Sequence, residues 1–167
     1  TEDGWLRTGD VAINKDGFLV MSDRKKELIL SGGFNVYPSQ VEAAIRSMPG
    51  VKDVAVVGLP AGEAREEVTA ALILEDDAPM ITLAQVRAWA EKYVSHYALP
   101  RQIAIITDLP RNPLGKVMRR KVKEQLLDPA NRMIESAQRA IGEAAAAVSE
   151  RLSPGDTATE QKSDEND

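Results

Sequence analysis

Short blocks of hydrophobic residues, separated by turn-forming pairs, occupy the first part of the chain and predict two β-hairpins. Apolar residues at 11–13 and 18–21 flank an Asp-Gly step, which is typical of a tight hairpin turn. Apolar residues also concentrate at 27–30 and 34–37, on either side of a Gly-Gly step that predicts a second turn. Each block is too short for a helix, so we expect two-stranded ribbons here.

A helix follows the second hairpin. Residues 39–48 place apolar side chains at three- and four-residue intervals, which predicts one buried face. Ser39 and Glu42 have the spacing of a capping box, in which two side chains accept hydrogen bonds from backbone N–H groups of the first turn. A Pro-Gly step at 49–50 ends the helix.

The middle of the chain predicts a small sandwich. Strands at 54–57 and 68–74 are expected to pair antiparallel, and a helix at 82–94 begins with its own capping box. A strand at 102–106 completes the sheet. The predicted fold class is α+β, with a three-stranded antiparallel sheet flanked by helices, a two-stranded hairpin before it and an extra C-terminal helix after it.

The last third of the chain changes character twice. Residues 108–116 hold two prolines, an Asn-Pro step and a glycine, a composition that excludes helix and sheet. A basic helix from residue 117 ends at an Asp-Pro step, and residues 130–152 repeat small and branched side chains along one helical seam. Residues 153–167 are polar and acidic, and we expect them to be disordered.

Composition and charge narrow the class of function. The net charge of −5 is mild and negative, which argues against a nucleic-acid-binding protein. The absence of cysteine and the single histidine exclude disulfides, thiolate catalysis and metal sites built from Cys or clustered His. No apolar run is long enough to span a membrane, so we expect a cytoplasmic protein. The chain starts at Thr1 inside a turn-rich segment, and we expect it to be a piece of a longer protein.

Lys116 is the sharpest candidate for chemistry. It follows Gly115 on the loop rich in proline and glycine, where a lysine is a compact cation that can be carried into a site and withdrawn. Such a charge would stabilise negative charge that develops on a phosphate or carboxylate, and an ordinary solvated lysine is the alternative. The Gly32-Gly33 turn lacks the lysine and hydroxyl of a phosphate-binding loop, so another domain would hold most of a nucleotide.

Three ordered motifs carry a resemblance to a known family. They are GWLRTGD at 4–10, DRKKELILSGGFNVYPSQVE at 23–42 and LPRNPLGK at 109–116. Their order and spacing closely resemble the adenylate-forming enzymes, which include acyl-CoA synthetases, peptide-synthetase adenylation domains and luciferases. The second motif, together with the run KVMRR at 116–120, looks most like bacterial long-chain fatty-acyl-CoA ligases.

The resemblance implies an ATP site shared with a large domain. Asp10 matches the acid that binds the ribose hydroxyls of ATP, and Arg24 matches an arginine close to the ribose or phosphates. Lys116 matches the catalytic lysine that adenylation requires. In the family a carboxylate attacks the α-phosphate of ATP, which is bound with Mg2+, and this lysine stabilises the transition state.

The resemblance also implies a rotating domain and a CoA site. Lys26 matches the hinge about which the small domain turns between the two half-reactions. Gly33 matches the glycine that lets the pantetheine arm of CoA pass close to the backbone. The implied CoA-binding residues are Gly32, Gly33 and Phe34, and the implied contacts to CoA phosphates are Arg119 and Arg120.

On this resemblance the chain divides into four parts. Residues 1–22 would be the remnant of a large N-terminal domain, and residues 23–127 would be the C-terminal lid domain of an acyl-CoA ligase. Residues 128–152 would add a helix, and residues 153–167 would form the disordered acidic tail. Because the ATP phosphate loop and the acyl pocket are missing, we expect the fragment alone to be inactive.

The implied substrates are a fatty acid and CoA, and the implied partner is the large N-terminal domain, with no nucleic acid. A lysine acetyltransferase acting on Lys116 would remove its charge and switch adenylation off. Peripheral membrane association of the complete enzyme is a further expectation. Two alternatives stay open: an adenylation domain that loads an amino acid or acyl group onto a carrier protein, and a non-catalytic module that pairs through the helical seam at 134–148.

Overall fold

The computed structural model describes residues 1–62 and 65–128. The predicted helix beyond Asp128, with its seam, and the predicted acidic tail lie outside these residues. The described elements are, in chain order, β1 (Asp10–Lys15), β2 (Phe18–Arg24), a 3-10 helix (Lys25–Glu27), β3 (Ile29–Ser31), β4 (Phe34–Val36), α1 (Pro38–Arg46), β5 (Val51–Pro60), β6 (Glu66–Leu74), α2 (Leu83–Ala90), a second 3-10 helix (His96–Ala98), β7 (Gln102–Ile105) and α3 (Arg119–Leu127).

The first predicted hairpin is the β1–β2 ribbon. Lys15 pairs with Phe18, and the turn between them holds Asp16 and Gly17 at positive φ angles of 53° and 86°. This is the left-handed backbone that an Asp-Gly turn supplies. The side chains of Phe18 and Leu19 are 76% and 75% exposed, so the ribbon presents an apolar surface that the described residues leave uncovered.

The second predicted hairpin, β3–β4, is also confirmed. Ser31 pairs with Phe34 around a turn in which Gly32 and Gly33 have φ angles of 57° and 85°. Glycine adopts these angles without steric cost, whereas a side chain at either position would be strained. The paired Ile29 and Val36 at the base of the hairpin are buried, so the turn projects from the core toward solvent.

The central sheet has the order β5-β6-β7 and is mixed. β5 and β6 pair antiparallel as expected, but β6 and β7 pair parallel, with Thr69 opposite Gln102 and Leu72 opposite Ile105. The prediction of an all-antiparallel sheet was therefore wrong at this edge. The segment between the two strands contains α2, and this crossover returns the chain to the starting end of β6, so β7 runs in the same direction.

Helices cover both faces of this sheet, which confirms the α+β sandwich. Because side chains alternate along β5, Val54 and Val56 face one way while Ala55 and Val57 face the other. The first face packs against α1 and α2, and the second packs against α3. None of the described helices is long and apolar enough to cross a membrane.

The predicted capping box at the start of α1 was wrong. Pro38 occupies the first turn after the cap residue Tyr37, which makes no side-chain cap hydrogen bond. The hydroxyl of Ser39 instead donates to the Asp23 carboxylate at 2.6 Å and lies 3.1 Å from the backbone carbonyl oxygen of Ser22. The Ser39 side chain, which the local pattern assigned to the cap, thus binds residues that are distant in sequence.

The capping box predicted for α2 is confirmed. The Thr82 hydroxyl accepts a hydrogen bond from the Gln85 backbone N–H, and the Gln85 side chain accepts one from the Thr82 backbone N–H at 2.8 Å. Both α1 and α2 are shorter than predicted and end at Arg46 and Ala90.

Candidate functional site

Asp10 and Arg24 are brought together at the open end of the β1–β2 ribbon. They are opposite one another in the strand register, and the Arg24 Nε atom lies 3.3 Å from Asp10 Oδ1. At the same end the Lys25 backbone N–H donates to the Gly9 carbonyl at 2.7 Å, which adds one more hydrogen bond across the ribbon. Both side chains retain exposed surface, so the carboxylate can accept additional hydrogen bonds from a ligand hydroxyl.

Lys26 occupies a short 3-10 helix, Lys25–Glu27, between the two hairpins. Its side chain is exposed, whereas Glu27 and Leu28 are partly buried and Ile29 is buried. The backbone therefore changes from a solvent-exposed ribbon to the core of the sandwich within a few residues of Lys26. This is the position that a hinge between two bodies would occupy.

The Gly32-Gly33 turn presents open backbone beside an aromatic pair. A Cβ atom built on either glycine would meet no atom within 4 Å, so the backbone can be approached closely. Phe34 stacks on Tyr97 with ring centroids 4.7 Å apart and an interplanar angle of 19°. The two rings are 55% and 42% exposed and form an apolar platform next to the turn.

Lys116 lies at the end of a tight loop that closes with a β-bridge between Arg111 and Val117. The Asn112 backbone N–H donates to the Lys116 carbonyl at 2.9 Å, and the Asn112 side-chain oxygen accepts from the Lys116 backbone N–H at 2.9 Å. Gly115 supplies the positive φ angle of 79° that turns the loop. Among the described residues, no acceptor pairs with the Lys116 ammonium, which extends into solvent from a fixed backbone.

Arg119, three residues later, is the centre of a partly buried ion cluster. Its Nε and Nη2 atoms donate to the two oxygens of Glu42 at 2.9 and 2.7 Å, which is a bidentate pair. Its Nη1 atom donates to Glu27 and lies 3.5 Å from Asp23. The Arg119 side chain is only 16% exposed. The cluster joins the start of α3 to α1 and to Asp23 and Glu27, which lie on either side of Lys26.

Backbone N–H groups also donate hydrogen bonds to two of these carboxylates. The Val56 backbone N–H of β5 donates to Glu42 at 2.9 Å, and the Ser39 backbone N–H donates to Asp23 at 3.1 Å. Asp23 is almost fully buried, with a side chain 3% exposed. Buried charges are tolerated when they are paired and hydrogen-bonded in this way, and leaving one unpaired is costly.

The electrostatics of the cluster favour a permanently charged guanidinium. Burial alone disfavours the charged form, but the hydrogen bonds and charge of Glu42 and the charges of Glu27 and Asp23 outweigh it and raise the pKa of Arg119 above its ordinary value. Arg119 therefore carries its positive charge at neutral pH.

Arg119 and Arg120 have different environments although they are neighbours. Arg120 is 87% exposed, and within the part of the chain that the structure describes its one ion-pair partner is Glu124, one turn later, at 3.0 Å. That surface pair is weak and leaves the guanidinium accessible to a phosphate. The Arg119 guanidinium is already bound by carboxylates. A contact between Arg119 and a CoA phosphate therefore stays a prediction, and it would require the ion cluster to open.

Three residues near the site were given no role by sequence reasoning: Tyr97, Arg111 and Asp53. Tyr97 carries no local signal for its stack with Phe34, because the two are far apart in sequence. Arg111 stands inside the third motif, but its partner Asp53 lies in β5, 58 residues earlier. Only the tertiary structure shows these pairings.

The chain is similar to known proteins in both sequence and fold. Residues 40–116 match the model of the AMP-binding enzyme C-terminal domain. A long-chain-fatty-acid–CoA ligase from Salmonella typhimurium is 38% identical over 125 residues, which cover 74% of this chain and 22% of that protein.

Solved structures give the same result. A Mycobacterium tuberculosis fatty acyl CoA synthetase is similar with a TM-score of 0.61 and 35% identity, over 74% of this chain and 24% of that one. An o-succinylbenzoate CoA synthetase from Bacillus subtilis, in complex with an acyl-adenylate intermediate, gives a TM-score of 0.65 and 31% identity, over 72% of this chain and 25% of that one.

The chain therefore belongs to the adenylate-forming enzymes, of which it contains the C-terminal domain. Within that family it is similar to the fatty-acyl-CoA ligases. It spans about a quarter or less of the length of the relatives described above, with shares of 22%, 24% and 25%.

Replacing Arg119 by alanine is expected to lower the free energy of unfolding by about 3–5 kcal/mol, because it leaves buried carboxylates without their cation. Urea unfolding of the chain, followed by circular dichroism, measures this loss. The matched control is Arg120→Ala on the same helix, for which we expect a change within about 0.5 kcal/mol. Equal changes for the two variants would contradict the structural role of the cluster.

Proposed function

We propose that the chain is the lid domain of an ATP-dependent, AMP-forming fatty-acid–CoA ligase. The observation that carries this proposal is the Lys116 loop, which holds a solvent-exposed ammonium on a backbone fixed by Asn112. A cation displayed in this way suits transient delivery to a phosphate held by another domain. The similarity to fatty-acyl-CoA ligases supports the choice of acyl-CoA formation.

In the first half-reaction the fatty-acid carboxylate oxygen attacks the α-phosphorus of ATP. A new oxygen–phosphorus bond forms, the bond to the leaving pyrophosphate breaks, and the product is an acyl-adenylate. Lys116 stabilises the negative charge that builds up on the phosphate oxygens in this transition state. The carboxylate of Asp10 accepts hydrogen bonds from the ribose hydroxyls, with Arg24 beside it.

In the second half-reaction the CoA thiol releases its proton to water and its sulfur attacks the acyl carbon. The bond between that carbon and the phosphate oxygen breaks, so AMP leaves and a thioester forms. We propose that rotation about Lys26 withdraws Lys116 and presents the Gly32-Gly33 turn to CoA. The open backbone of that turn and the adjacent face of Phe34 line the path of the pantetheine arm. Arg120 is accessible to a CoA phosphate.

Mg2+ accompanies ATP in this reaction class and neutralises its phosphates. Within the described ranges, no group of carboxylate or imidazole side chains is placed to hold a metal ion.

The lid role implies that the chain alone makes no acyl-CoA, because ATP and the fatty acid would be held mainly by the large domain. Incubation of the purified chain with ATP, Mg2+, a fatty acid and CoA is expected to give no thioester. Thioester formation above that of a blank without protein would contradict the assignment as a lid.

In the complete ligase, Lys116→Ala is expected to slow adenylation by on the order of 100- to 1,000-fold, the usual effect of removing one transition-state donor. Pyrophosphate exchange into ATP measures this step. Thioester formation from supplied acyl-adenylate should be spared, because Lys116 is withdrawn in that state.

The matched control is Lys92→Ala, which removes another lysine whose ammonium lies 4.8 Å from the Trp89 ring. This variant should leave both half-reactions unchanged. Equal loss of both half-reactions in Lys116→Ala would refute the role assigned to Lys116.

A further inference from the structure

Arg111 makes two contacts that link the Lys116 loop to the central sheet. Its Nη1 atom donates to the carbonyl oxygen of Gly115, and its Nη2 atom donates to the carboxylate of Asp53 on β5. The planar guanidinium suits this task, because its donors point in fixed directions and can serve two acceptors at once.

The Gly115 carbonyl belongs to the peptide unit that immediately precedes Lys116. The N–H of that same peptide donates to the Asn112 side-chain oxygen at 2.9 Å. Both polar groups of the Gly115–Lys116 peptide are therefore held, one by Arg111 and the other by Asn112. The direction in which the Lys116 side chain leaves the backbone follows from the orientation of this peptide.

Asp53 is itself a fixed anchor. Its side chain is 19% exposed and lies at the bulge near the start of β5. The Oδ1 atom accepts from the Val54 backbone N–H at 2.8 Å and lies 3.5 Å from Arg46 Nη2 at the end of α1. The Oδ2 atom receives Arg111. The anchor is thus attached to both the sheet and a helix.

We infer that Arg111, anchored by Asp53, is a positioning residue that aims Lys116 for adenylation, a role that rests on the proposed function. Lysine has a flexible four-carbon stem, so its only pre-set geometry comes from the backbone that carries it. A displacement of about 1 Å in a positioned group can cost about 100-fold in rate. Loosening the Gly115–Lys116 peptide should therefore slow the step that uses Lys116 and spare the step that does not.

The test uses the complete ligase with Arg111→Ala, Arg111→Lys and Asp53→Asn. We expect Arg111→Ala to lower kcat for adenylation about 10- to 100-fold, with an unchanged KM for ATP and unchanged thioester formation from supplied acyl-adenylate. Arg111→Lys should give a smaller loss, because one ammonium keeps the charge but cannot hold both acceptors in a fixed geometry.

Coupling between the two residues gives a second measurement. Asp53→Asn should lower adenylation in the wild-type background and add no further loss to Arg111→Ala, because both changes release the same anchor. Fully additive losses would show that Asp53 does not act through Arg111.

Arg87→Ala is the matched control, because it also removes an arginine that donates to a backbone carbonyl, that of Pro100 at 2.7 Å. Thermal unfolding of both arginine variants separates stability from rate. The inference is overturned if Arg111→Ala lowers the rate of adenylation no more than Arg87→Ala does. It is also overturned if Arg111→Ala slows both half-reactions equally.

Lys116→Ala is measured in parallel. If that variant retains adenylation, the proposed function itself fails. If Lys116→Ala loses adenylation and Arg111→Ala does not, only the positioning role fails.

Discussion

The ion cluster around Arg119 holds together the parts of this domain to which the proposed function assigns a role. One guanidinium binds Glu42 of α1 in bidentate fashion and also contacts Glu27 and Asp23 on either side of the proposed hinge. A buried charge network is costly unless each member is satisfied, and here backbone N–H groups of β5 and α1 complete the carboxylates. The start of α3, which follows the Lys116 loop directly, is fixed to the same framework.

The positions of these carboxylates in the chain determine which contacts the proposed rotation would break. Asp23 precedes Lys26 in the chain, whereas Glu27 and Glu42 follow it. A turn about Lys26 would separate Asp23 from Arg119 and break the contacts of Ser39 with Ser22 and Asp23. It would leave the Arg119 pairs with Glu27 and Glu42 intact. The lid would then carry the Lys116 loop and the Gly32-Gly33 turn as one unit, each presented in turn to a substrate bound mainly elsewhere.

Features set by neighbouring residues were predictable from the sequence, and features set by distant partners were not. The two hairpins and the Thr82 cap follow from turn and capping chemistry within four residues. Ser39 and Glu42 matched a capping box, but Asp23 and Arg119 captured them from 16 and 77 residues away. The parallel edge of the sheet depends on the crossover through α2, so the predicted order of strand, helix and strand already contained a signal for it that the antiparallel prediction missed. The motifs were enough to identify the family and the candidate lysine, Lys116. The contacts that hold the Lys116 loop in place became visible only in the fold.

The central claim is that one domain serves two half-reactions by turning about Lys26, and a distance across that hinge tests it most directly. The chain contains no cysteine, so Lys15→Cys on β1 and Lys121→Cys on α3 would introduce two labelling sites on opposite sides of the hinge. Spin labels are attached to these two cysteines in a complete ligase from which any other cysteine has been removed. Double electron–electron resonance should then give one distance between the labels with a non-hydrolysable acyl-adenylate analogue bound. It should give a different one after CoA is added. A single unchanged distance in both states would contradict the account.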